Sequence, residues 1–151
     1  MASDRSKDSD SEGPEGAPHW SVLWQGTYPP EDVAVRRSRL DVGNALGQTG
    51  LARVVIDDVL AVLTEIVGNA VRHARTECIV TASLHAGVLR VEVFDGDTHP
   101  PSLLGLDADS TSGRGLHLVT GIARDWGWRP AVSDDGVAGK RVWAELDDRG
   151  A

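Results

Sequence analysis

The stretch Leu60 to Ala74, LAVLTEIVGNAVRHA, constrains this chain more than any other. On a helix turning about 100° per residue, Val59, Leu63, Ile66, Val67, Ala70, Val71 and Ala74 fall into one broad apolar arc, which must face a core. Glu65 and Asn69 stand four residues apart and so project from the same side of that helix, at the edge of the arc. A carboxylate and a carboxamide thus share a half-buried wall. By spacing alone such a pair is more often an ordinary polar flank than a ligand site. Beside a nucleotide it has a chemical use. Magnesium keeps several waters and takes only one or two protein oxygens alongside substrate phosphates, so the Asn69 amide oxygen suffices. Glu65, one turn back, can hold a metal-bound water or accept a hydroxyl proton.

The remaining elements can be read around this helix. Residues 1–18 are rich in Ser, Asp, Glu, Gly and Pro with almost nothing to bury, so a disordered acidic tail is expected there. Residues 19–148 then form a single domain, which suits a chain of 151 residues that is 40% hydrophobic. SVLWQGTY alternates as a strand with one covered face and is stopped by Pro29 and Pro30. A first helix follows, with Val33, Leu40, Val42 and Leu46 in loose helical period until Gly47. It carries Arg36, Arg37 and Arg39, the best candidates for a charged partner surface. The central helix should run from Leu51 or Ala52 to about Arg75 or Thr76. CIVTASLH and VLRVEVFD, separated by Ala86 and Gly87, read as an antiparallel hairpin. In its second strand Val91, Val93 and Asp95 share a face opposite Arg90, Glu92 and Phe94, which puts the Asp95 carboxylate at the end of a buried row.

From Gly96 to Arg114 the chain loses its period and reads as a long loop of the kind that serves as a lid. It leads into a helix carrying Gly115, Leu116, Leu118, Val119, Ile122 and Ala123. Glycines at a helix N-terminus leave N–H groups free for an anion. WGWRPAVS and KRVWAEL form a final hairpin, packed by Trp126, Trp128 and Trp143.

The net charge of −8 argues against direct nucleic-acid or anionic-membrane binding, since both need a basic patch. A single cysteine, Cys78, excludes an internal disulfide and points to a reducing cytoplasm. No stretch approaches the roughly 18 apolar residues that span a bilayer. The five histidines are scattered without ligand spacing, so zinc is not expected.

In this order the motifs resemble those of the GHKL superfamily over about Trp20 to Leu146. The resemblance implies an α+β fold, the two-layer α/β sandwich of the Bergerat ATP-binding type, with a mixed, mostly antiparallel sheet covered on one face by helices. The family's E-x-x-x-N-A box reads Glu65 to Ala70 here, followed by His73. By resemblance Asn69 coordinates Mg2+ and Glu65 orients or deprotonates the nucleophile, with His73 at the cofactor. Asp95 matches the strand-ending Asp that recognises adenine, but Gly96 and Asp97 interrupt the usual D-x-G-x-G. The G-x-G-L phosphate box is intact as Gly113, Arg114, Gly115 and Leu116. Gly139 is followed by Lys140 where the family often has Gly-Thr near the base.

TEIVGNAVRHA, SGRGLHLV and GKRVWAEL are similar to the small stand-alone anti-sigma factor kinases of the RsbW type, especially actinobacterial ones. That resemblance implies binding of Mg-ATP and phosphoryl transfer to Ser or Thr of a small anti-sigma antagonist. It also implies sequestration of a sigma factor and a homodimeric habit. Glu65 and Arg114 would be catalytic, although kinase members usually carry the lid arginine slightly earlier, where Ser110, Thr111 and Ser112 stand here. The alternative is an ATP-dependent protein-binding switch with weak or no catalysis.

Overall fold

The computed structural model describes residues 18–101 and 119–148. The chain runs β1 (Ser21–Tyr28), α1 (Val33–Gly47), α2 (Arg53–Asn69), β2 (Cys78–His85), β3 (Val88–Asp95), β4 (Asp125–Val132) and β5 (Ala138–Asp147). The five strands form one sheet in the order β1-β2-β3-β5-β4. Every neighbouring pair is antiparallel, so the described sheet is uniform where a mixed one was expected. The tail up to residue 17, most of the expected lid and the phosphate box lie outside the described residues.

Local chemistry accounts for the joints. Ala86 and Gly87 both take positive φ, 49° and 81°, which a two-residue hairpin of right-handed twist requires. That turn sets the register from His85↔Val88 to Cys78↔Asp95 and so decides which face each β3 side chain occupies. Gly127 sits opposite Trp143, where a Cβ would come 2.9 Å from the indole ring. The three tryptophans therefore do not pack together. Trp126 and Trp128, paired with Ala144 and Val142, lie against the core, whereas Trp143 is on the other face.

The core lies between helices and sheet. Val59, Val62, Leu63, Ile66 and Val67 of α2 meet Val80, Val91, Val93, Val142 and Ala144 of the strands, all nearly inaccessible to solvent. On the opposite face long amphipathic side chains cover the sheet. The Arg90 guanidinium lies 5.2 Å from the Trp20 ring and 4.7 Å from Trp143, and its Nε is 3.2 Å from Glu145.

The central helix departs from its expected form. The α-helical turn ends at Asn69, and Ala70–Ala74 continue as a wider π turn. The Arg75 N–H donates to the Ala70 carbonyl at 3.3 Å, and Arg75 ends the helix in the left-handed region at φ 57°. Hydrophobic period reports which side is buried and not how wide a turn is, so this change was not visible in the sequence. No helix among the described residues is long and apolar enough to cross a membrane.

Candidate functional site

Two apolar rows of the sheet each end in a charge. On β3 the core-facing row is Leu89, Val91, Val93, Asp95, and on β5 it is Leu146, Ala144, Val142, Lys140. The register places Asp95 directly across from Lys140. Both are buried, and the Lys140 ammonium donates to Asp95 Oδ1 at 2.9 Å. Neither charge would persist there alone, because desolvating an unpaired ion is far too costly. Lys140 Nζ also donates to the Asp97 carbonyl at 3.1 Å, and the Asp97 N–H donates to Asp95 Oδ1 at 2.9 Å. The turn after β3 is therefore held by these bonds, with no glycine needed at Asp97. The backbone N–H of His99, and then its ring, hold the Asp97 carboxyl below the usual carboxylate range.

Glycine is needed elsewhere. A Cβ at Gly139 would lie 1.9 Å from the Asp95 carbonyl oxygen, so only glycine lets β5 pass this close to the end of β3.

Between the pair and α2 is a cavity of about 170 Å³. Ile66, Asn69, Ala70 and His73 form its helix wall, Val93, Asp95, Lys140 and Val142 its sheet wall, and Asp97, His99, Pro100 and Pro101 its loop side. Asn69 is only 6% exposed, yet its carboxamide has no hydrogen-bond partner among the described residues. A buried amide left open towards a cavity is an amide with room for a ligand. His73, on the π turn one turn after Asn69, lines the same cavity and is exposed.

Of the residues singled out by sequence, Asn69, His73, Asp95 and Lys140 meet at this cavity. Gly96 does not line it. Its N–H is taken by Thr76 Oγ1 at 2.8 Å, and it borders a separate groove with Thr76, Ile79 and Phe94. Glu65 is half-buried one turn earlier on α2 and is also outside the lining. Gly113, Arg114, Gly115 and Leu116 lie outside the described residues. Thr76, Asp97 and His99 were missed. For Asp97 the available signal was the D-G-D run, since an Asp side chain such as that of Asp95 can accept the backbone N–H two residues on and close an Asx turn.

Among the described residues no group of three or more His, Cys, Asp or Glu side chains is placed to hold a metal by itself. A lone buried carboxamide oxygen instead matches the way magnesium is shared between one protein ligand and a nucleotide's phosphates. The three arginines of α1 are exposed. Arg36 and Arg39 line a groove between α1 and α2 together with Leu40 and Arg53, and Arg37 does not. Arg39 is partly engaged, donating to the Leu60 carbonyl at 3.0 Å and to Thr64 Oγ1 at 2.6 Å.

A family model described as the histidine kinase-like ATPase domain matches residues 28–145, well over half of the chain. No curated protein matches it closely in sequence. Among solved structures, a chain of the SiaB-SiaC complex from Pseudomonas aeruginosa superimposes with a TM-score of 0.59 at 14% identity. The match covers 97% of this chain and 98% of that one, and at this identity it bears on the fold alone.

Proposed function

The chain belongs to the histidine kinase-like ATPase domain family, and on that premise we propose that it binds Mg-ATP in the cavity between α2 and the ends of β3 and β5, as a regulatory protein kinase of the anti-sigma type. The observation that carries this reading is the open Asn69 carboxamide, buried at a cavity whose far wall is the Asp95–Lys140 pair. Bound there, Mg-ATP supplies an electrophilic γ-phosphoryl group with its charge partly neutralised by the metal. Asn69 offers its amide oxygen to the magnesium, and Asp95 offers a carboxylate oxygen to the base. Ile66, Ala70, Val93 and Val142 give the base apolar walls. Glu65 accepts the proton of a Ser or Thr hydroxyl on a small antagonist protein, and Arg114 with the Gly113 and Gly115 amides offsets charge on the phosphate. Sequestration of a sigma factor is the second half of the proposal, with Arg36, Arg37 and Arg39 as the docking surface. A cytoplasmic setting goes with it.

The test is transfer of labelled phosphate from γ-labelled ATP to Ser or Thr of candidate antagonist proteins, with wild type beside Glu65→Gln. Both should bind Mg-ATP and only wild type should transfer. Unchanged transfer by the variant removes Glu65 from its role.

A second reading is favoured by one observation, that Glu65 stands outside the cavity lining. In it, ATP binds without useful catalysis and sets which partner docks. Wild type that binds Mg-ATP, transfers nothing and changes its partner affinity with nucleotide would select this switch. A partner affinity indifferent to nucleotide would exclude it.

A further inference from the structure

The base-reading end of the cavity carries a donor as well as an acceptor. Both hydrogen bonds that the Asp95 side chain receives among the described residues end on Oδ1, one from Lys140 Nζ and one from the Asp97 N–H. Oδ2 is left open. Lys140 has three N–H groups. Two are used, on Asp95 Oδ1 and the Asp97 carbonyl, and the nearest further oxygen, Asp97 Oδ2, is 3.7 Å away and beyond hydrogen-bond length. Among the described residues, Asp95 and Lys140, which both line the cavity, thus keep one carboxylate oxygen and one ammonium N–H without a partner.

That pairing changes which bases the wall can satisfy. Adenine presents an exocyclic amino donor beside the ring acceptor N1. A 6-oxopurine presents an exocyclic carbonyl acceptor beside the ring donor N1–H. A wall with only an ionised carboxylate has only acceptors, so it suits the amino group and opposes the carbonyl. Sites of that kind can discriminate by about 10⁴ to 10⁵, because the wrong ligand leaves buried polar groups unpaired. With an ammonium beside the carboxylate, either edge finds complementary partners. Adenine gives its amino hydrogen to Asp95 and takes a hydrogen bond from Lys140 at N1. A 6-oxopurine takes the Lys140 hydrogen bond at O6 and gives its N1–H to Asp95. The flanking walls, Ile66, Ala70, Val93 and Val142, are apolar and read neither edge.

We infer that this site accepts nucleoside triphosphates of both the 6-amino and the 6-oxo purine class, with Lys140 as the residue that broadens the choice. The inference rests on the reading of the cavity as a Mg-nucleotide site. The experiment is equilibrium titration of the full wild-type chain with Mg-ATP, Mg-GTP and Mg-CTP. The ATP and GTP dissociation constants should lie within about tenfold of each other, with CTP weaker than either by more than that. ATP binding with GTP weaker by more than about tenfold overturns the inference and leaves the nucleotide site standing. Equal binding of all three overturns it as well, since the base is then not read. Binding of none overturns both.

Lys140→Thr should weaken GTP by about 100-fold or more relative to ATP, and Lys140→Arg, which retains a donor and the charge, should keep the wild-type ratio of the two. If Lys140→Thr does not fold, the wild-type comparison and Lys140→Arg still decide. Loss of GTP in neither variant would remove Lys140 from the role.

Discussion

Replacing Lys140 with Met tests the ion pair on which the site is built. The two side chains are 5% and 2% exposed, with Nζ 2.9 Å from Asp95 Oδ1. Met keeps most of the stem and removes the charge, leaving the Asp97 N–H as the only described side-chain partner of Asp95. Breaking a buried pair by removing one member costs about 3–5 kcal/mol. A loss of about 4 kcal/mol is a large part of the 5–15 kcal/mol typical of a folded chain. Adding Asp95→Asn removes the charge that needed a partner and should recover most of the loss. Urea unfolding followed by tryptophan fluorescence at pH 7 reads both changes. A loss below about 1 kcal/mol, or one that Asp95→Asn does not relieve, refutes the buried pair.

Other expectations come from the same packing. Gly139→Ala should force β5 away from the end of β3, because its Cβ meets a backbone oxygen that cannot rotate aside; a destabilisation of about 3 kcal/mol or more is expected in the same unfolding assay, and an unchanged midpoint would show that the strands are not so close. Burial, with smaller contributions from Asp95 and Glu77, pushes the Cys78 thiol up to about 12, so it should resist a thiol reagent at pH 8 in the native state and react once urea unfolds the chain; rapid native labelling would contradict its placement. Burial first, and then the hydrogen bond donated to Asp41, raises Tyr28 to about 12. As the only tyrosine it can be followed by absorbance, and its contribution to stability should be fully present below about pH 10 and lost as pH rises towards 12, because the native state holds the proton longer. A titration midpoint near 10 in the folded protein would be the contrary result.

The elements legible in the sequence are those whose pattern repeats. β1 to β3 and the turn at Ala86 and Gly87 follow from two-residue alternation bounded by Pro and Gly, and the buried face of α2 from its helical period. The alternation also placed Asp95 at the end of an apolar row. It could not show that Lys140 ends the neighbouring row at the same height, because register across strands far apart in sequence depends on how β5 enters the sheet. That entry is set by Gly139, which reads in sequence as part of a turn. The π turn at Ala70 and the bond between Thr76 and the Gly96 N–H are likewise absent from any period. The placement of Asn69, His73, Asp95 and Lys140 around one cavity is thus a property of the assembled sheet and helix, even though each residue could be singled out beforehand.

The most direct test of the account is isothermal titration of the purified chain with Mg-ATP, with Asn69→Ala alongside. The Asn69 carboxamide is buried and open towards the cavity, so its removal should leave the fold intact and remove the metal's protein ligand. Wild type should bind with micromolar affinity, and a folded Asn69→Ala should not bind. Wild-type protein that is folded and binds no Mg-ATP, or a variant that binds as tightly as wild type, would contradict it.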